Sequence, residues 1–218
     1  MYCLLIRKER NMERKKGEKL PRDFYLRDAL TVARDLLGKI LVHQTPQGIL
    51  KGKIVEVEAY MGKQDAAAHS CKVRSPRTEV QYGVGGFAYI YLIYGMYYCM
   101  NIVSNREEIP EVVLLRALEP LEGLEQMQQR RNVRRQQDLC NGPGKLCSAM
   151  DIQKAHYGID LCGHEIYLEE GEPVTEEEIG VSKRINIDYA GEAKDYEWRF
   201  FLKDNPYVSG YRKSTTGR

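Results

Sequence analysis

Ile54–Tyr60 reads Ile-Val-Glu-Val-Glu-Ala-Tyr, and its apolar and polar residues alternate at the period of a strand. The pattern predicts that Val55, Val57 and Ala59 face a core and that Glu56, Glu58 and Tyr60 share the opposite face. Two carboxylates and an aromatic ring on a stiff, largely β-branched strand make a rigid base for a reaction site. An edge strand with a wet acidic face is the plainer alternative, and this stretch alone does not separate the two.

Upstream, Ile40 and Val42 open a strand and Thr45-Pro46-Gln47-Gly48 supplies turn residues, so the two strands form a hairpin with Glu58 near its far end. Before that, Ala29, Val32, Ala33, Leu36 and Leu37 recur at helical spacing, with Asp28 as N-cap and Gly38 as the stop. Downstream, residues 61–88 show little period, and loops of that length in a compact domain are usually functional or disordered. Within them, Asp65 to His69 reads as one helical turn carrying His69 back toward Tyr60.

Tyr89 to Val103 is two apolar runs on either side of Gly95, a hairpin with its tip at Tyr94-Gly95-Met96-Tyr97. Tyr89, Tyr91, Tyr94, Tyr97 and Tyr98 are too many hydroxyls to bury without partners. Rings at such a tip can stack on bases or wedge between them, or serve an oligomer interface. Val112 to Leu118 is another strand, with Leu114, Arg116 and Leu118 on one face, and a half-buried arginine there calls for a partner such as Glu56 or Glu58. Pro120 is expected to begin a helix running to about Gln129, ahead of Arg130, Arg131, Arg134 and Arg135. Asp138 to Leu146 is a glycine-rich turn entering a helix, where backbone N–H groups and Lys145 suit a phosphate. Lys145 lacks a following Ser or Thr, so nucleotide hydrolysis is not supported. Short strands are expected at Ile166 to Leu168 and Trp198 to Leu202.

The whole chain has 218 residues, 43% of them hydrophobic, which suits a single core. No apolar run approaches the roughly 20 residues of a membrane helix, and no signal peptide is apparent, so the expectation is an intracellular protein. Six cysteines without CxxC spacing and four histidines without HExxH point to reduced thiols and to no metal. A net charge of +2 hides segregation: residues 1–22 hold eight Lys or Arg against three Glu, while an acidic run begins at Glu169. Such segregation fits a polyanion binder, although each run alone reads as a solvated face. Residues 1–20 are read as a mobile basic arm, with Met12 a possible start, and 21–218 as one domain.

Val-Glu-Val-Glu-Ala-Tyr (55–60), Ala-Ala-His-Ser (67–70), Ser-Pro-Arg-Thr (75–78), the tyrosine hairpin (89–101), Leu-Leu-Arg-Ala-Leu-Glu-Pro-Leu-Glu-Gly (114–123) and Gly-Pro-Gly-Lys-Leu-Cys (142–147) together resemble the mammalian-type 3-methyladenine (alkyladenine) DNA glycosylases. The resemblance implies an α+β fold: a single mixed domain, a curved antiparallel sheet with surrounding helices and a protruding β-hairpin that enters the minor groove. It implies no cofactor, no metal and no membrane, and a monomer acting in the bacterial cytoplasm or a nucleus on double-stranded DNA with damaged purines. Carried over by motif, Glu58 is the general base that activates water and Arg116 lies beside the attacked sugar. Tyr60, His69 and Tyr91 enclose the flipped base, Asn101 disfavours guanine and Leu114 is a pocket wall. Tyr94 fills the gap left in the duplex, and Lys145, Arg130 and Arg131 are candidate phosphate contacts.

The implied activity is monofunctional base excision leaving an abasic site. Val84-Gly85-Gly86-Phe87 departs from the family pattern in lacking a proline, which leaves the substrate range open. From other classes, a non-catalytic nucleic-acid binding module would keep the tyrosines without turnover. A sugar hydrolase would use Glu56 and Glu58 as its acid pair.

Overall fold

The computed structural model of the protein describes residues 15–210. Two helices lead into the sheet, α1 (Arg22–Tyr25) and α2 (Ala29–Leu36). Asp28 caps α2 as its side chain accepts from the Thr31 N–H at 2.9 Å. Gly38 ends it in the left-handed region, with no room for a side chain: a Cβ there would sit 2.6 Å from Val174 Cγ2.

Eight strands follow: β1 (Ile40–Thr45), β2 (Gly48–Tyr60), β3 (Ala88–Ile93), β4 (Tyr97–Ser104), β5 (Glu111–Glu122), β6 (Ile166–Glu169), β7 (Ile179–Ser182) and β8 (Arg199–Leu202). They form one open antiparallel sheet in the order β3-β4-β5-β2-β1-β6, with β8 also on β2 and β7 on β8. The long β2 changes neighbours along its length. Residues 48–53 pair with β1, whereas Glu56, Val57 and Glu58 pair with Phe201, Phe200 and Arg199 of β8. Between β5 and α4 runs α3 (Leu124–Arg131), and α4 (Pro143–Ala149) packs on β4 and β5. The α+β expectation, with antiparallel sheet, helices and hairpin, is met.

The alternation of β2 is not continuous. Ile54 pairs with Leu118, Glu56 with Ala117 and Val57 with Leu115, so Val55 and Arg116 have no register partner across this pair. Each strand holds one extra residue, a matched bulge that re-aims side chains. As a result Ile54, Val57, Ala59, Leu115 and Leu118 enter the main core, and Val55 turns away into a smaller cluster with Ala117 and Val208. Two expectations are corrected: Val55 does not share a face with Val57, and Leu118 does not share one with Arg116.

Pro120 is also corrected. It lies in β5 opposite Gly52, beside a register shift where its missing N–H is tolerated, and the helix begins only at Leu124 after Gly123 in the left-handed region. Asp65 to His69 forms non-helical turns, the nearest 3₁₀ turn being Gly62–Gln64. β7 was not expected.

Of the segment read as an arm, residues 1–14, with Met12, lie outside the described residues. The rest is attached: Gly17 N–H donates to the Glu170 carbonyl, the backbone of Lys19 forms a β-bridge with that of Glu169 and Leu20 is buried in the core. Cys71, Cys99, Cys140, Cys147 and Cys162 are free thiols, and Cys3 lies outside the described residues. Among the described residues no helix is long and apolar enough to cross a membrane.

Candidate active site

The sheet assembles the site as a row across five strands. Tyr89 of β3 is opposite Asn101 of β4, Asn101 opposite Leu114 of β5, Leu114 opposite Glu58 of β2, and Glu58 opposite Arg199 of β8. Directly opposed residues share a face. Residues far apart in the chain therefore meet around one carboxylate.

Glu58 is 0% exposed. Its Oε2 accepts from the Tyr60 hydroxyl at 2.9 Å, and its Oε1 accepts from the Ile185 N–H at 2.8 Å. Arg116 Nη1 stands 3.2 Å from the same Oε1, while Arg116 Nε donates to Glu56 Oε1 at 2.9 Å. The arginine bridges the two acids, which are therefore not an independent pair. Burial works against the charge of Arg116, but Glu58 and Glu56 outweigh it and raise its pKa above the usual value. Burial likewise opposes the Glu56 carboxylate, yet Arg116 and Arg199 hold its pKa below the ordinary range. Every oxygen of Glu56 is occupied by Arg116, Arg199 and Ser209, so it is not free to act as the second acid of a sugar hydrolase.

Aromatic rings stand around this centre. Tyr60 packs in one cluster with Tyr89 and Tyr91. The His69 and Tyr91 ring centroids are 4.6 Å apart and edge-on, and His69 Nδ1 lies 2.9 Å from the Tyr89 hydroxyl. Burial, then the Glu58 charge, pushes the Tyr60 hydroxyl pKa far up, so it remains a donor to Glu58. Asn101 is buried and its Nδ2 donates to the Tyr89 carbonyl at 3.1 Å, which fixes the amide on the site's row.

His69 is exposed as a residue, yet partial burial of its ring, and secondarily the charge of Arg77, lowers its pKa from 6.5 to about 4. Between those values the unfolded chain holds the extra proton. This group's contribution to stability is therefore complete above pH 6.5 and declines as pH falls toward 4. At neutral pH the ring is therefore uncharged. An NMR titration of the His69 ring should show its midpoint near 4; a midpoint above 6 would contradict this environment.

The hairpin tip projects from the sheet. Ile93 pairs with Tyr97, and Tyr94, Met96 and Leu92 are exposed, Tyr94 by 75%. Tyr94 has φ 54, an uncommon conformation for a tyrosine that turns its ring outward at the apex. Against the tip end of the hairpin lies the glycine-rich turn: a Cβ on Gly144 would come within 2.9 Å of Tyr97 Cβ. This sets the exposed Lys145 beside the hairpin, its Nζ donating to Asn141 Oδ1 at 2.7 Å. Arg130 and Arg131 are not gathered there as free cations. Arg130 pairs with Asp151 at 3.5 Å, and Arg131 Nε donates to the Leu139 carbonyl at 3.2 Å.

The sequence reading missed one hub. Arg184 and Asp65 form a pair with both side chains 0% exposed, joined at 2.5 and 2.8 Å. Arg184 also donates to the carbonyls of Ala59 and Ala193, and its guanidinium lies 4.6 Å from the Tyr60 ring and 4.9 Å from that of Trp198. Asp65 accepts from the N–H groups of Met61 and Ala67, shaping the loop that carries His69. A cavity of about 570 Å³ lies against this loop, lined by His69, Lys72, Tyr189 and Tyr196 among others.

Among the described residues one group of donors, His43, His156 and Glu165, is close enough to share an ion. His43 Nδ1 is 2.6 Å from the Met150 carbonyl, and His156 Nδ1 accepts from the Gln153 N–H at 3.0 Å. A neutral His156 so bonded carries its proton on Nε2, 3.4 Å from Glu165, and offers no lone pair to a metal there.

The methylpurine-DNA glycosylase family model matches residues 23–206. A protein of Clostridium acetobutylicum is 52% identical over 204 residues, covering 89% of this chain and 99% of that protein, and bears the name "Putative 3-methyladenine DNA glycosylase". Proteins of the same name from Clostridium novyi and Methanocella arvoryzae are 50% and 49% identical, over 88% and 87% of this chain and 98% and 95% of their own lengths. With its buried acid, its bridging arginine, its ring of aromatics and this match along nearly the whole described chain, the protein belongs to the methylpurine-DNA glycosylase family.

Proposed function

We infer that this chain is a DNA-repair glycosylase that flips an alkylated purine out of duplex DNA and releases it by water attack, leaving an abasic site. The carrying observation is the environment of Glu58: a buried carboxylate held by the Ile185 N–H, Arg116 and Tyr60, the last packed in a cluster with Tyr89 and Tyr91. A base inside a duplex is out of reach, and extruding it costs a few kcal/mol. Stacking on aromatic faces recovers about 1–3 kcal/mol per base, so Tyr60 on one side and His69 with Tyr91 on the other offset that cost. Asn101 and Leu114 close the slot and select among purines.

Alkylation makes the purine a good leaving group, and the sugar left behind develops positive charge. Glu58 stabilises that charge and orients and deprotonates the attacking water. The groups that bond Glu58 in the structure include no lysine amine, so the reading is hydrolysis without a Schiff base and without strand cleavage. Lys145 contacts a backbone phosphate next to the hairpin, whereas Arg130 and Arg131 serve the protein's own carbonyl and carboxylate groups. The chain acts as a monomer on cellular DNA.

The test is incubation with methylated duplex. Free methylpurine should appear together with alkali-labile abasic sites, and the strand should stay intact before alkali. Binding without base release would favour the non-catalytic module, and cleavage before alkali would overturn the monofunctional reading. Tyr94→Ala should slow excision from duplex by about tenfold, the loss of one stacking contact. It should change excision from single-stranded substrate much less. Equal rates of parent and variant on duplex would remove Tyr94 from the wedge role.

A further inference from the structure

Glu56 is 0% exposed, and both of its oxygens are engaged by the protein's own donors. Its Oε1 accepts from Arg116 Nε at 2.9 Å, Arg199 Nε at 2.7 Å and Ser209 Oγ at 2.7 Å, and its Oε2 accepts from the Ser209 N–H at 2.7 Å. It therefore acts on substrate only through Arg116. That arginine reaches Glu58 with one nitrogen, Nη1, because its Nε is committed to Glu56. A guanidinium with a single buried carboxylate partner favours a bidentate grip, which engages both oxygens. The competing carboxylate prevents such a grip on Glu58.

We propose that Glu56, backed by Arg199 and Ser209, is a positioning residue that holds Arg116 in a one-nitrogen contact with Glu58 Oε1, leaving Oε2, which accepts from the Tyr60 hydroxyl, a second lone pair for water. Arg199 supplies the second positive charge, so two arginines face two acids and neither acid needs the whole of Arg116. Ser209 supplies two of the four donors. It lies past residue 206, where the family match ends, so the chain's last described turn reaches back to the reacting centre.

This inference rests on the roles given above to Glu58 and Arg116, and a double-mutant cycle separates the two. Single-turnover excision from methylated duplex and affinity for an abasic-analogue duplex are measured for Glu56→Gln, Ser209→Ala, Arg116→Met and both pairings with Arg116→Met. All are assayed at a temperature where circular dichroism shows each protein folded. Arg116→Met should be slower by about a hundredfold, as for loss of a donor at a reacting centre. Glu56→Gln should be slower by about thirtyfold and Ser209→Ala by about threefold, with affinity kept, because only the rate depends on the arrangement. Combined with Arg116→Met, neither should slow the reaction further, since residues acting as a unit are not additive.

Ser209→Ala leaves every charge in place and keeps the test decisive if Glu56→Gln does not fold. A parental rate for Arg116→Met would overturn the role of Arg116 itself. A slow Arg116→Met beside parental rates for Glu56→Gln and Ser209→Ala, or losses that multiply in the pairs, would overturn the positioning role alone.

Discussion

Glu58→Gln should release alkylated purine more slowly than the parent by about 10²- to 10⁴-fold, the usual contribution of a positioned general base. It should bind abasic-analogue duplex within a few-fold of the parent. The amide has the shape of the acid and still accepts from the Tyr60 hydroxyl or the Ile185 N–H, so the surrounding groups keep their places. Arg116 retains Glu56 as its partner, which limits the damage that an unpaired buried cation would cause. On the proposed mechanism, what disappears is the negative charge facing the sugar and the site that takes water's proton. Excision at the parental rate would remove Glu58 from the chemistry.

The second large effect is on folding. Arg184→Met should lower the melting temperature by about 10 °C. Breaking a buried ion pair by removing one partner costs about 3–5 kcal/mol, and a chain of this size loses about 2–4 °C per kcal/mol. Asp65 would remain buried with only the N–H groups of Met61 and Ala67. Replacing Asp65 by Leu in the same protein should recover part of the loss, because no uncompensated charge then stays inside. Thermal unfolding followed by circular dichroism measures both. A single variant melting within about 2 °C of the parent would show that the pair contributes little. Excision should weaken too, as Arg184 sits against the Tyr60 ring and precedes the N–H that holds Glu58.

The parts of the fold that sequence made legible were the local ones. Alternation placed Glu56, Glu58 and Tyr60 on a strand, Asp28 and Gly38 bounded a helix, and Gly95 with its tyrosines marked a hairpin tip. The partner of Arg116 was legible because a charge between leucines demands one. What escaped depends on pairing between distant segments. Arg184, Arg199 and Ser209 carry no motif of their own, and they matter only because β7 and β8 bring residues 182–209 against β2. Pro120 was misread because proline commonly opens helices, and only the register shift opposite Gly52 makes a strand tolerable there. Likewise, no single strand reveals the matched bulge, since each half looks regular until the two are laid side by side.

That bulge behaves like a dislocation in a crystal. Above and below it the lattice is perfect, but the inward and outward positions are displaced by one step. Shortening β2 by a residue between Ile54 and Val57 would turn Glu58 and Tyr60 inward and push Val57 and Ala59 onto the face that carries the site. Length along these few links is thus as firmly prescribed as the identity of the acid they carry.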